Sequence, residues 1–86
     1  MKPRRQPYGT KNICGAKVEQ LRKERGIKQR ALVELLQLQG VDMNPSSLSK
    51  LEGQQRIATD IEVRAIANAL GVTADFLLSE WESPLA

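Results

Sequence analysis

Four glycines, at positions 26, 40, 53 and 71, divide most of the chain into segments too short for a long helix. Glycine readily adopts the left-handed backbone conformation that follows the last turn of a helix, so each of the four is expected to end one. Between these glycines, aliphatic residues recur three or four positions apart, and no segment alternates apolar and polar residues as a strand does. The pattern predicts an all-α fold made of short helices.

Five helices are predicted from this spacing and from their start and stop signals. They lie after Asn12 as far as Gly26, over Gln29–Gln39, over Pro45–Glu52, from Thr59 to Gly71, and from Thr73 through Leu78. The start of the third helix is clearly marked, because Asn44 is a good N-cap and Pro45 suits the first helical position. The fourth begins with Thr59 and Glu62, which have the spacing of a capping box.

The length and composition indicate one small domain between two irregular ends. The chain has 86 residues, and its only aromatic residues are Tyr8, Phe76 and Trp81. A compact core must therefore be aliphatic, which favours packed helices. Residues 1–11 contain two prolines, a glycine and four basic residues, and they are predicted to form a flexible basic arm. The folded domain is expected over residues 12–80, followed by a C-terminal tail over residues 81–86.

The positive charge is concentrated in the first third of the chain. Residues 1–30 contain ten of the thirteen lysines and arginines but only two acids, whereas residues 31–86 contain three basic residues and eight acids. Such asymmetry has two interpretations: the basic part binds a polyanion, or it is a solvated face followed by a basic tail. Charge alone does not decide between them.

Few residues suited to catalysis or metal binding are present. The chain has no histidine, which is the commonest general base and neutral metal ligand, and Cys14 is its only cysteine. Cys14 lies on an apolar helix face, so we expect a packed thiol without a catalytic role. An enzyme, a cofactor and a metal site are not expected. Neither a secretory signal nor an apolar stretch long enough for the membrane is apparent, which predicts a cytoplasmic protein.

An ordered set of short motifs carries a family resemblance. The set comprises Leu21-Arg22, Ile27-Lys28-Gln29, Leu32 with Leu36, Leu48-Ser49-Lys50-Leu51-Glu52, Ala65-Ile66-Ala67-Asn68-Ala69-Leu70-Gly71-Val72 and Phe76-Leu77-Leu78. Over about three quarters of its length the chain resembles the lambda-repressor-like (Xre/Cro-like) helix-turn-helix transcriptional regulators of bacteria and phages. The resemblance implies the five-helix lambda-repressor-like DNA-binding domain, with a lengthened connection between the second and third helices.

The resemblance also implies how the third helix meets DNA. In this family the helix corresponding to Pro45–Glu52 enters the major groove with its N-terminus first. Ser46, Ser47 and Lys50 would then face the bases, and Ser49 would lie near the margin. Lys50 is the best candidate for reading a base, because a lysine donates to guanine O6 and N7.

Further residues are expected to hold the DNA backbone or the fold. The predicted backbone contacts are Lys28, Gln29, Arg30, Asn44, Gln54 and Arg56. Among these, Gln29 matches the family's glutamine at the start of the second helix, where the helix N-terminus also favours a phosphate. Arg22 and Glu52 match a partly buried structural salt bridge that locks the first helix onto the third.

The N-terminal arm has two readings. Lys2, Arg4, Arg5 and Lys11 either lie in an adjacent minor groove, as basic arms of other proteins do, or form a solvated tail that attracts DNA only at long range.

Several function classes follow from these features. The first is a sequence-specific, repressor-like regulator that binds double-stranded DNA as a homodimer, with Leu77, Leu78, Trp81 and Leu85 as its dimer surface. The alternative is an antitoxin or adaptor of the same fold, whose main target is a protein partner suited to the acidic C-terminal half. A purely structural helical module ranks third, because it has no use for the basic arm or for Gln29 and Arg30.

Overall fold

The computed structural model describes residues 11–79, which form five helices and no strand. The helices are α1 (Gly15–Glu24), α2 (Gln29–Leu38), α3 (Pro45–Glu52), α4 (Asp60–Leu70) and α5 (Ala74–Leu78). The prediction of an all-α, five-helix domain is therefore confirmed, and α3 has the predicted bounds. Residues 1–10 of the predicted arm, and the predicted tail over residues 81–86, lie outside the described part of the chain.

Glycines end three of the helices as predicted, and α3 ends differently. Gly26, Gly40 and Gly71 have positive φ angles, whereas Gly53 has φ −80° and the left-handed residue is Gln54, with φ 60°. The Gln55 N–H donates to the Lys50 carbonyl at 2.8 Å, and the Gln54 N–H donates to the Leu51 carbonyl at 3.0 Å. This is a Schellman-type ending, in which a glutamine occupies the position usually filled by glycine.

The core is aliphatic and receives residues from every helix. Its fully buried large side chains include Val18, Leu32, Leu36, Leu48, Leu51, Ile66 and Leu77. Val41 and Met43 add to this core from the connection between α2 and α3, where helical periodicity gives no signal. Leu38, at the end of α2, is instead 83% exposed.

One expectation about the last helix is wrong. Leu77 was expected on a dimer surface, but it is completely buried because it faces the bundle from α5. Leu78 is 46% exposed and remains available to a partner. Trp81 and Leu85 lie outside the described residues.

A close approach between α1 and α3 determines where α3 lies. A Cβ atom added at Gly15 would lie 2.1 Å from the Leu51 carbonyl oxygen, so only glycine allows this contact. The Asn12 side chain accepts a hydrogen bond from the Gly15 N–H at 2.7 Å, although the residue at the N-cap position is Cys14. Asn12 therefore caps α1 from two residues before the N-cap position.

Candidate nucleic-acid interface

Helix α3 has one buried face and one exposed face. Leu48, Leu51 and Glu52 are turned into the protein, and Glu52 is only 1% exposed. The exposed residues are Pro45, Ser46, Ser49 and Lys50, and Ser47 is half-buried. Lys50 makes no hydrogen bond or ion pair through its side chain with any described residue. The structure thus puts Ser49 more fully on the exposed face than Ser47, the reverse of the expected order.

The N-terminus of α3 is held by Asn44. The Asn44 side chain accepts a hydrogen bond from the Ser47 N–H at 2.8 Å, and Pro45 follows as the first helical residue. An asparagine cap of this kind typically stabilises a helix by about 1 kcal/mol. Asn44 is exposed, so the cap lies at the surface beside Ser46. The DNA contact expected for Asn44 remains a prediction.

Helix α2 begins without a side-chain cap. Lys28 occupies the N-cap position with an extended backbone, and its side chain makes no capping hydrogen bond. In the other four described helices, a side chain of Asn12, Asn44, Thr59 or Thr73 accepts from a first-turn N–H. The first N–H groups of α2 are therefore open to an external acceptor, and Lys28 and Arg30 beside them are both exposed.

One buried carboxylate joins the first three helices. Glu52 accepts from Arg22 Nε at 2.7 Å and from Arg22 Nη2 at 3.1 Å. It also accepts from Gln29 Nε2 at 3.0 Å. Arg22 Nη1 donates to the Ile27 carbonyl at 2.9 Å, which holds the turn between α1 and α2. The start of α2 and the end of α3 consequently have a fixed relation, and the side-chain amide of Gln29 is already engaged inside the protein.

Arg56 is surrounded by acceptors of its own chain. Its Nε donates to the Ser47 carbonyl at 3.0 Å, and its Nη1 donates to the Ile57 carbonyl at 2.7 Å. Nη1 and Nη2 also donate to the two Glu62 carboxylate oxygens at 3.0 and 3.1 Å, and Nη2 lies 3.9 Å from the Met43 sulfur. A guanidinium has five N–H groups, and these contacts match all five. The phosphate contact predicted for Arg56 stays a prediction, and it would require at least one of these contacts to break.

Glu62 completes this arrangement at the start of α4. It accepts from the Thr59 N–H at 3.0 Å, and the Thr59 hydroxyl accepts from the Glu62 N–H at 3.1 Å, which is the predicted capping box. Partial burial alone would raise the pKa of Glu62, but the hydrogen bonds from Arg56 and Thr59 outweigh it and lower that pKa. The carboxylate is therefore ionised and faces Arg56 at neutral pH.

Gln54 lies in a loop that is tied to the residues preceding α1. Its Nε2 donates to the Asn12 carbonyl at 3.3 Å. Asn12 Nδ2 in turn donates to the carbonyls of Leu51 at 3.1 Å and Arg56 at 2.8 Å. Gln54 is half-buried, and its DNA contact stays a prediction.

Comparison with known proteins agrees with this arrangement. A model of the helix-turn-helix domain family matches residues 15–81. The chain belongs to this family. It is 34% identical over 76 residues to the HTH-type transcriptional regulator RamB of Mycobacterium tuberculosis, in both strain CDC 1551 / Oshkosh and strain ATCC 25618 / H37Rv. The match covers 88% of this chain but only 15% of each relative. The resemblance to Xre-like helix-turn-helix regulators is thereby confirmed.

In this helix-turn-helix domain the exposed basic residues extend beyond the predicted site. Lys23 and Arg25, around the end of α1, are exposed together with Lys28 and Arg30 at the start of α2. Lys23 forms an exposed ion pair with Glu19 at 3.3 Å, whereas Arg25 has no partner among the described residues. Neither Lys23 nor Arg25 was among the residues predicted to contact DNA. Their proximity in sequence to Lys28 is the signal that would have added them.

Other chemistry in the helix-turn-helix domain is limited. A cleft of about 280 Å³ is lined by Lys11, Asn12, Ile13, Cys14, Ala58, Val63 and Leu78. The Cys14 thiol is 1% exposed, and burial raises its pKa, so it is a weak nucleophile. Over residues 11–79, no cluster of three or more metal-binding side chains is found. None of the described helices is both long and apolar enough to cross a membrane.

Proposed function

We propose that this chain is a sequence-specific, repressor-like transcriptional regulator that reads the major groove with α3. The observation that carries the proposal is the rigid pairing of two features through Glu52: the open N-terminus of α2 and the exposed polar face of α3. The first suits a backbone phosphate and the second suits base edges. Membership of the helix-turn-helix domain family and the similarity to RamB support the same function.

The residues then divide into two groups with different tasks. Lys50, Ser46, Ser47 and Ser49 are proposed to meet base edges, with Lys50 contributing most of the preference. Lys28, Arg30 and the N–H groups at the start of α2 are proposed to hold phosphates. The Gln29 side chain bonds Glu52, so we propose that Gln29 offers its backbone N–H to the phosphate while its amide orients the helix.

The test is DNA binding by purified protein across a salt series, first with random duplexes and then with duplexes selected by the protein. Lys50→Ala should abolish the preference for selected duplexes over random ones. Gln29→Ala should instead weaken binding to selected and random duplexes alike. Arg64→Ala is the control. Arg64 is exposed on α4, and its substitution removes one positive charge, as Lys50→Ala does. Absence of wild-type binding even at low salt would overturn the proposal.

Two further parts of the proposal concern partners. We propose a homodimer on DNA, whose half-sites lie about 34 Å apart on one face of the duplex. Leu38, Ile57 and Ile61 are 83%, 68% and 61% exposed, which favours a protein contact of some kind. If the protein fails to bind DNA, an antitoxin or adaptor bound to a protein becomes the leading function. A regulator of this kind is expected to act in the cytoplasm, at the nucleoid.

A further inference from the structure

The two ends of α3 are supported in different ways. The C-terminal end packs tightly against α1 at Gly15 and carries Glu52, which is bound to α1 and α2. The N-terminal end, which contains Ser46 and Ser47, is exposed or half-buried. Helices α3 and α4 share few direct contacts, although they are consecutive in the chain. The end of α3 that enters the groove in the proposed function therefore needs another support.

Arg56 supplies that support through the Ser47 carbonyl. The Asn44 side chain accepts from the Ser47 N–H, and Arg56 Nε donates to the Ser47 carbonyl at 3.0 Å. Both backbone groups of this residue in the first turn of α3 are therefore hydrogen-bonded to side chains. Through its other N–H groups, the same guanidinium binds Glu62 in the first turn of α4 and the Ile57 carbonyl between the two helices. The planar guanidinium thus links the starts of both helices in one rigid geometry.

We infer that Arg56 and Glu62 form a positioning pair, which orients the first turn of α3 and so sets sequence preference without touching DNA. This inference rests on the proposed function, and it replaces the phosphate contact predicted for Arg56. To reach a phosphate, Arg56 would have to leave acceptors that match all five of its N–H groups. It would also leave the Glu62 carboxylate, whose side chain is 15% exposed, without its cation and near DNA of the same charge.

The two roles predict opposite effects for Glu62→Gln. If Arg56 held a phosphate, removal of a nearby negative charge would strengthen binding to every sequence and leave preference unchanged. A positioning pair predicts weaker preference, because the neutral amide accepts through only one oxygen and no longer binds the guanidinium at both nitrogens. We expect the ratio of affinities for a selected duplex and for one altered at a single base pair to fall about tenfold, as for one lost base contact.

This ratio separates positioning from plain destabilisation. Partial unfolding of a variant lowers both measured affinities by the same factor, so the folded fraction cancels in the ratio. Arg56→Lys and Glu62→Gln are the conservative variants. Arg64→Lys and Glu34→Gln are their matched controls, since both residues are exposed on neighbouring helices. The controls are expected to keep the wild-type ratio.

The salt dependence of binding supplies a second readout. A plot of log affinity against log salt has a negative slope. Loss of one phosphate contact makes this slope shallower by about 0.9, whereas loss of a positioning residue leaves it unchanged. Arg56→Gln is therefore expected to keep the slope of the control Arg64→Gln. A slope shallower than that of the control, with an unchanged ratio of affinities for the selected and the altered duplex, would overturn the inference. It would restore the phosphate contact of Arg56.

A measurement on the wild type keeps the inference testable if the variants do not fold. In an NMR spectrum, the Arg56 Nε–H should exchange slowly with water and show coupling across its hydrogen bond to the Ser47 carbonyl. Both signals should persist when a selected duplex is added, and their loss on DNA binding would overturn the inference. Wild-type protein that binds no DNA would overturn the proposed function as well. Normal DNA binding with wild-type ratios in both conservative variants would overturn this inference alone.

Discussion

Arg22 and Glu52 are 30 positions apart in the chain, and their side chains meet with Arg22 Nε 2.7 Å from Glu52 Oε2. Both side chains are nearly buried, at 10% and 2% exposure. The pair connects α1 to α3, and Gln29 of α2 shares the carboxylate. The geometry of the proposed DNA-binding surface thus depends on a charge pair that lies beneath it.

Removal of one member of this pair should be costly. Arg22→Ala leaves the Glu52 carboxylate buried without its cation, and such a change typically costs about 3–5 kcal/mol of unfolding free energy. Urea unfolding followed by circular dichroism measures this directly. Lys23→Ala is the control, since its exposed ion pair with Glu19 should contribute less than about 1 kcal/mol. Equal unfolding midpoints for the two variants would contradict the assignment.

Gly15→Ala tests the close approach of α1 and α3. The new Cβ would lie 2.1 Å from the Leu51 carbonyl oxygen, so the two helices must separate. Overpacking of this kind typically costs about 1–3 kcal/mol, which exceeds the helix propensity gained by alanine. At Gly53 the nearest atom to a new Cβ is 3.4 Å away, so Gly53→Ala is the matched control. Thermal melts should show a much lower midpoint for the first variant alone.

The Arg56–Glu62 pair should make stability depend on pH. Because the folded-state pKa of Glu62 is below its ordinary value of 4.5, the pair contributes its full stabilisation above that value. The contribution is lost as the pH falls from 4.5 through the lower, folded-state pKa. Urea unfolding of the wild type and of Glu62→Gln across this acidic range is the measurement. The difference in unfolding free energy between the two proteins should shrink as the pH falls. A difference that stays constant would contradict the lowered pKa of Glu62.

Lys17 should stabilise the end of α5. It is 7% exposed, and its Nζ donates to the Phe76 and Ser79 carbonyls at 3.0 and 3.1 Å while lying 5.0 Å from the centre of the Phe76 ring. Lys17→Met keeps the volume but removes the donor of these hydrogen bonds, while the Phe76 carbonyl still accepts from the Ser79 N–H and hydroxyl. The expected cost is therefore about 1 kcal/mol of unfolding free energy. Amide hydrogen exchange should increase at Leu77 and Leu78. The control Lys23→Met should leave exchange in α5 unchanged.

The features predictable from sequence are those whose causes are local. The Asn44–Pro45 start of α3 and the Thr59–Glu62 capping box each depend on residues within one turn, so their spacing alone identified them. Helix ends at glycine were predictable for the same reason. The ending at Gln54 was not, because a non-glycine residue with positive φ leaves no mark in the sequence.

The features missed from sequence depend on distant parts of the chain. The need for glycine at position 15 arises from Leu51, and the burial of Val41 and Met43 arises from how their connection crosses the bundle. Arg56 is the clearest case at the candidate site. An arginine after the proposed recognition helix suits a phosphate by charge alone, and only the positions of Ser47 and Glu62 show that its N–H groups already have acceptors within the protein.

Asn12 connects the start of α1 to the segment that follows α3. Its side-chain amide binds the carbonyls of Leu51 and Arg56, and its side-chain oxygen receives the first N–H of α1. The residue that leads into the bundle therefore also fastens the segment that leaves α3. Tension applied to the chain ahead of Asn12 is therefore expected to load these two hydrogen bonds and, through them, to reach α3 and the Arg56 loop as well as α1.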